Sequence, residues 1–157
     1  DTSAVLTDTW PLVQHEARKP GVKVAFDLRA NTRVRMNRDE LQQVLVNLIV
    51  NSLHAMSHGG TLTLATRDCV VPPGADILVR DTGHGISPEN IGRVFDPFFT
   101  TKRSEGTGLG LSVSLGLIER YGGNITVTSR PGEGSCFTVH LLAEPVFRQT
   151  GEGPLYE

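Results

Sequence analysis

Gln43, Asn47, Asn51 and His54 follow one another at spacings of four, four and three. On a helical period of about 3.6 residues they fall on one line. That line borders a stretch made otherwise of Leu, Val and Ile. Asparagine is a poor mid-helix residue because its side chain competes for main-chain hydrogen bonds. A row of neutral amide oxygens beside an apolar face can hold a hard cation. Magnesium takes oxygen ligands and usually keeps water or phosphate in its shell. The same row would also serve as a solvent edge or as caps for neighbouring loops.

A second group is built on a carboxylate. Ile77-Leu78-Val79-Arg80 runs into Asp81, followed by Thr82-Gly83-His84-Gly85-Ile86. A carboxylate at the end of a buried strand is stable if it receives a specific donor. The exocyclic amine of adenine is such a donor. Gly83 and Gly85 would let the main chain approach a flat ring. An ordinary turn opened by Asp gives the same pattern.

A third group combines rings and glycines. Three of the six phenylalanines fall within Phe95-Asp96-Pro97-Phe98-Phe99, followed by Thr100-Thr101-Lys102. The rings either plug an edge of the core or anchor one end of a lid that leaves Thr100, Thr101 and Lys102 over a ligand. Gly106-Thr107-Gly108-Leu109-Gly110-Leu111 then opens a helix. Glycines in a first turn leave N–H groups uncovered at the positive helix end, which makes an anion site. Close helix–sheet packing is the other use of such glycines.

These groups need elements to position them. Residues 4–18 read as a helix with a broken stripe of Val5, Leu6, Leu12 and Val13, interrupted at Trp10-Pro11. Val22, Val24, Phe26 and Leu28 alternate with polar or small residues as in a strand. Ala30-Asn31-Thr32 suggests a hairpin into a short strand over Arg33 to Met36. Asn37 or Asp39 can cap a helix from Glu40 to about Ser57, whose buried face is Leu41, Val44, Leu45, Leu48, Ile49, Ser52, Leu53 and Met56. Two strands follow, over Thr61 to Arg67 and Ile77 to Asp81. Residues 82–106 are irregular, a helix spans about Thr107 to Tyr121, and two strands close the fold around Pro131-Gly132-Glu133-Gly134. That order predicts a two-layer α/β sandwich, a mixed sheet covered on one face by helices. It is not a dinucleotide-binding repeat, and no GxxxxGK[ST] phosphate loop is present. One domain over residues 1–144 and a frayed tail over 145–157 are expected.

Composition narrows the classes. The chain has 157 residues, 15 Lys+Arg against 17 Asp+Glu, and a formal charge of −2. That balance gives no general basic footprint for nucleic acid. No apolar run approaches the roughly 20 residues that span a bilayer. Asp1 to Asp8 is polar and lacks a basic flank, so no secretory leader is expected there. Cys69 and Cys136 stand far apart without ligand-spaced partners and read as small residues in or beside strands.

Taken together, the motifs resemble the ATP-binding catalytic domain of sensor histidine kinases of the nitrogen-regulator-like type. That domain belongs to a wider superfamily with DNA gyrase B, Hsp90 and MutL. Asn47-Leu48-Ile49-Val50-Asn51-Ser52 is similar to the N box, with Ser52 where Ala is usual. Asp81 to Ile86 is similar to the G1 box, Phe95 to Lys102 to the F box, and Gly106 to Leu111 to the G2 box. Gly122-Gly123-Asn124-Ile125 and Pro131 to Phe137 resemble the closing hairpin. The resemblance covers nearly the whole chain.

It implies a Bergerat-type ATP-binding fold and Mg-ATP as ligand. Asn51 would coordinate Mg²⁺, and Asn47 would stand by the phosphates. Asp81 would receive the adenine amine, with Gly83, Gly85 and Ile86 around the ring. Thr101, Lys102, Gly106, Thr107 and the N–H groups of Gly108, Leu109, Gly110 and Leu111 would hold the phosphates. His54 lies where some members place a basic phosphate contact. The lid between Thr101 and Gly106 is very short.

ATPases of the superfamily place a glutamate where this chain has Asn47, and an amide cannot act as a general base. This argues for transfer to a supplied nucleophile over hydrolysis, and against the anti-sigma-factor serine kinases. The resemblance therefore implies γ-phosphoryl transfer to a histidine on a separate dimerisation domain of the same parent, then relay to a response regulator receiver domain. His15-Glu16 only superficially echoes the phosphorylated-histidine motif, because its helix ends almost at once. A cytoplasmic setting, a monomeric chain and a homodimeric parent are the matching expectations. The rival readings are a pseudokinase that docks a partner without phosphoryl transfer, and a kinase of the mitochondrial dehydrogenase-kinase type.

Overall fold

The structure is a computed structural model that describes residues 1–18, 21–99 and 110–143. Helix α1 (Thr2–Val13) opens it, capped by the Asp1 side chain, which accepts from Ala4 N–H. Pro11 lies within the helix without breaking it. A short 3-10 turn (Gln14–Ala17) follows. The buried residues of α1 are Thr2, Val5, Leu6, Thr9 and Val13. Leu12, expected in the stripe, is 53% exposed. Trp10 instead meets Phe26 of β1 (Val22–Leu28) edge to face, with ring centroids 6.1 Å apart.

Helix α2 (Arg38–His54) is capped by Asn37, whose side chain accepts from the N–H groups of Asp39 and Glu40. Its buried face is Leu41, Val44, Leu45, Leu48, Ile49, Ser52 and Leu53, with Met56 just beyond. This is the face the spacing predicts. Strands β2 (Gly60–Cys69) and β3 (Gly74–Asp81) are joined by a tight turn. The short helix α3 (Pro88–Ile91) lies in the stretch read as irregular. Helix α4 is described over Gly110–Glu119 and is stopped at Gly122-Gly123. Strands β4 (Asn124–Arg130) and β5 (Gly134–Leu142) complete the sheet. The expected tail over 145–157 and the expected first turn of the last helix lie outside the described residues.

The sheet order is β1-β2-β3-β5-β4. β1 pairs parallel with β2, and the other three pairings are antiparallel, so the sheet is mixed. The hairpin expected after β1 is not formed. Val34 makes only an isolated bridge to Ala143. The donors that a hairpin would use are taken by β2. Arg29 N–H donates to the Thr66 carbonyl, Ala30 N–H to Thr66 Oγ1, and Asn31 and Thr32 N–H to the Asp68 carboxylate. Those bonds, led by Thr32, hold the Asp68 pKa below the usual carboxylate range. A parallel partner needs a long crossover, and α2 supplies it.

Alternation along the strands sets the layers. Leu62, Leu64, Ile77, Val79, Phe137, Val139 and Ile125 point to one face and join α1, α2 and α4 in a single core. The opposite face carries polar pairs. Asp27 accepts from Arg67 Nη2 at 2.7 Å, and His140 Nδ1 lies 2.8 Å from Asp76 Oδ1. Both cysteines are free and half-buried, Cys69 ending β2 and Cys136 within β5.

Candidate functional site

Asp81 ends the middle strand of the sheet and is 3% exposed. Its Oδ1 accepts two main-chain bonds, from Gly83 N–H at 2.9 Å and from Ser135 N–H at 3.3 Å. Among the described residues no hydrogen bond reaches Oδ2. Burial pushes the Asp81 pKa up, and the Gly83 N–H, the Ser52 hydroxyl, the Ser135 N–H and the nearby His84 pull against it. The net result is a carboxylate held above its usual range, with one oxygen fixed and the other available.

The loop after Asp81 is clamped on both sides. His84 N–H donates to the Ala55 carbonyl just past α2, and Gly132 N–H donates to the His84 carbonyl. A Cβ on Gly83 would stand 2.2 Å from the Ala55 carbonyl oxygen. One on Gly85, whose φ is +73°, would stand 2.2 Å from the Arg130 carbonyl oxygen. Both glycines therefore seat the loop against protein. Ile86 N–H donates to Ser129 Oγ at 2.7 Å, and Ser129 Oγ lies 2.8 Å from Ser135 Oγ. The two serines tie the loop to the β4–β5 hairpin.

On α2 the polar line is present, but its members do different things. Asn47 Nδ2 donates to Ser114 Oγ of α4 at 3.1 Å and to the Gly110 carbonyl at 3.4 Å. Gln43 Nε2 donates to Asn47 Oδ1 at 3.4 Å. Asn51 is half-buried, and among the described residues its side chain makes no hydrogen bond. His54 Nε2 lies 3.7 Å from Glu16 Oε2 of the 3-10 turn, an acidic neighbour the sequence did not reveal. Glu40, one end of the same helix, accepts from the Tyr121 hydroxyl and lies 3.6 Å from Arg120 Nη1.

Of the two readings of the phenylalanines, the core plug is seen at Phe95, and the lid residues Thr101 and Lys102 lie outside the described residues. Phe95 packs edge to face on Phe137 of the core, with centroids 6.2 Å apart. Phe98 is 73% exposed. Phe99 carries the Arg93 guanidinium over its ring at 4.9 Å. Gly110 and Leu111 begin the described part of α4, and Leu111 packs against the core. Thr101, Lys102, Gly106, Thr107, Gly108 and Leu109 lie outside the described residues. A cavity of about 420 Å³ borders Asp81 beside Arg80, Thr128, Arg130 and Cys136, and takes in no residue of α2 or α4.

The arrangement is a buried carboxylate acceptor at a sheet end, amides on one neighbouring helix and the start of a second helix joined to it through Asn47. A ligand with an amine-bearing flat ring and an anionic tail fits that order. Residues 36–145 match the family described as histidine kinase-, DNA gyrase B- and HSP90-like ATPase, and the chain belongs to it. It is an ATP-binding catalytic domain of the sensor histidine kinase type. It is 37% identical over 142 residues to the sensor histidine kinase ZraS of Klebsiella oxytoca, covering 90% of this chain and 30% of that protein. It is 43% identical over 121 residues to the two-component sensor PprA of Pseudomonas aeruginosa, covering 71% of this chain and 13% of that protein. The chain thus spans under a third of these relatives. Among solved structures, the catalytic domain of histidine kinase ThkA aligns with a TM-score of 0.79 at 28% identity, over 90% of this chain and 94% of that one. Full-length ShkA in complex with AMPPNP aligns with a TM-score of 0.80 at 25% identity, over 91% of this chain and 30% of that one. Among the described residues no helix is long and apolar enough to cross a membrane.

Proposed function

We propose that this domain binds Mg-ATP between α2, α4 and the end of β3. From that site the γ-phosphoryl group passes to a histidine on a separate dimerisation domain of the parent protein. The observation that carries the reading is Asp81, buried, pinned through Oδ1 and left with Oδ2 for an amine donor. Its partner feature is the half-buried Asn51 amide, which makes no side-chain hydrogen bond among the described residues.

Asp81 selects and orients the base. Asn51 Oδ1 would hold Mg²⁺, which neutralises phosphate charge when bound. Among the described residues no cluster of three His, Cys, Asp or Glu could hold a metal without phosphate. Asn47 bonds the first described residue of α4, and uncovered N–H groups at the start of that helix would favour an anion. Lys102, Thr101 and the run Gly106, Thr107, Gly108, Leu109, Gly110 and Leu111 would complete the phosphate side. Asn47, where the superfamily's ATPases place a glutamate, is an amide and no general base, and Glu40 is held by Tyr121. The chain therefore favours transfer over hydrolysis.

The parent protein would act as a homodimer on the cytoplasmic side and pass the phosphoryl group to an aspartate of a response regulator receiver domain. Residues 1–144 form the folded unit in this reading. The test is calorimetric titration of ATP with and without Mg²⁺, followed by labelling of an added histidine-bearing hairpin from γ-labelled ATP. Saturable Mg²⁺-dependent binding with label on the hairpin histidine is expected. Absence of binding by folded chain would overturn the reading and leave a partner-docking module.

A further inference from the structure

Where β3, β5 and β4 lie side by side at one end of the sheet, alternation gives them two faces. Asp81 and Ser135 are buried there and share the parity of the core residues Val79 and Phe137. Arg80, Cys136, Thr128 and Arg130 have the other parity and turn to the face opposite α1, α2 and α4. The register sets Cys136 between Arg80 on one side and Thr128 on the other. Arg130 stands opposite Gly134, two residues along β5 from Cys136. Together they line the cavity of about 420 Å³ that borders the end of β3.

The charge in this cavity is unbalanced. Arg80 is exposed and has no ion-pair partner among the described residues. Arg130 Nη1 lies 4.0 Å from Glu133 Oε2, with both side chains largely exposed. Such a pair contributes little and is easily displaced. The Asp81 carboxylate offers no compensation, because its Oδ1 accepts from Gly83 and Ser135 N–H on the buried side. Two guanidinium groups therefore border one cavity, over a floor that includes the Thr128 hydroxyl and the Cys136 thiol.

A guanidinium presents paired N–H donors that match the oxygens of an anion. Arg80 and Arg130 are rooted two strands apart and two residues out of register, so their Cα atoms stand about 12 Å apart. Two long side chains at that separation can close on one doubly anionic group between them. The cavity is larger than such a group alone and leaves room for an organic body beside it.

We propose that this cleft is a second ligand site, for a small molecule that carries a diphosphate. Arg80 and Arg130 hold its two phosphoryl groups, the Thr128 hydroxyl donates to one of them, and the remainder lies over Cys136. The cleft opens on the face opposite α2 and α4, so it stands whether or not a nucleotide binds between those helices.

The cysteines give a local readout. Cys136 lies in the cleft, whereas Cys69 ends β2 and is equally free and half-buried. The rate of alkylation at each is followed with increasing inorganic pyrophosphate, in Mg²⁺-free buffer at fixed ionic strength. Saturable protection of Cys136 is expected, with Cys69 unaffected and inorganic phosphate weaker than pyrophosphate. Arg80→Gln and Arg130→Gln should each weaken that protection about tenfold, the effect of a hydrogen bond to a charged group. Glu133→Gln should strengthen it about threefold, because the competing carboxylate is gone. ATP titration of the two arginine variants should match wild type. No protection at millimolar pyrophosphate, equal protection of both cysteines, or protection that survives both arginine substitutions would overturn the proposal. Loss of ATP binding in folded arginine variants would overturn it as a site separate from the nucleotide.

Discussion

Asn47 Nδ2 donates to Ser114 Oγ across 3.1 Å and thereby joins the middle of α2 to α4. Ser114 is fully buried, so the bond lies where water does not compete well. The same amide reaches the carbonyl of Gly110 at the first described residue of α4. A residue expected beside the phosphates is also what sets the helix whose start would hold them.

Asn47→Ala should therefore fail in two ways. The fold should lose about 1 kcal/mol, since Ser114 keeps a buried hydroxyl without that donor. ATP affinity should fall by more than the loss of one phosphate contact explains, because α4 is no longer held in place. Urea unfolding and calorimetric titration on the same preparation would check both. Weaker binding with unchanged stability would limit Asn47 to a direct contact.

Asp81→Asn should abolish ATP binding and yet stabilise the ligand-free chain at neutral pH by about 1 kcal/mol, the scale of a buried charge relieved of desolvation. Burial raises the folded pKa of Asp81, so the native state holds its proton to higher pH than the unfolded chain. Stability from this group is then present in acid and falls as pH rises from the unfolded value to the folded one. The stability gap between Asp81→Asn and wild type should be small in acid and widen towards neutrality. Thermal unfolding across that range measures it. A gap that narrows with rising pH would contradict the sign.

Asn51→Ala should leave the fold intact, because its side chain makes no hydrogen bond among the described residues. Its effect should be confined to the cation: ATP binding should lose its dependence on Mg²⁺. Titrations with Mg²⁺ and with a chelator would show whether the two affinities converge. A large drop in melting temperature would mean that the side chain has a packing role.

Gly83→Ala should destabilise the domain by about 2 kcal/mol or more, because the new Cβ would sit 2.2 Å from the Ala55 carbonyl oxygen. Both sides of that contact are main chain, so relief requires shifting the loop or the end of α2. Chemical denaturation gives the number, and an unchanged midpoint would show that the loop yields easily.

Much of this was legible because it is periodic or local. The face of α2 from Leu41 to Met56 follows from spacing alone, since a 3.6-residue period fixes which side chains meet the sheet. The Asn37 cap and the Gly122-Gly123 stop are likewise local chemistry. Leu12 was misread because its stripe assumed α1 packs evenly, whereas Trp10 takes the β1 contact through Phe26. The hairpin after β1 was misread for a longer-range reason. Its donors go to Thr66 and Asp68, which lie more than thirty residues further on and mark no pattern in the local sequence.

By itself the sequence determined the order of elements, the amide line from Gln43 to His54, the strand-end Asp81 and the glycine clusters, and through them the family. Those are matters of residue type and spacing along the chain. Tertiary structure decided what the residues face. It put Asp81 Oδ1 between Gly83 and Ser135, turned Asn47 towards α4, set Glu16 beside His54, and left the Ser52 hydroxyl buried without a partner. Hydrogen-bond partners and buried orphans depend on distances between segments remote in sequence, and only the packed sheet and its helices bring those segments within reach.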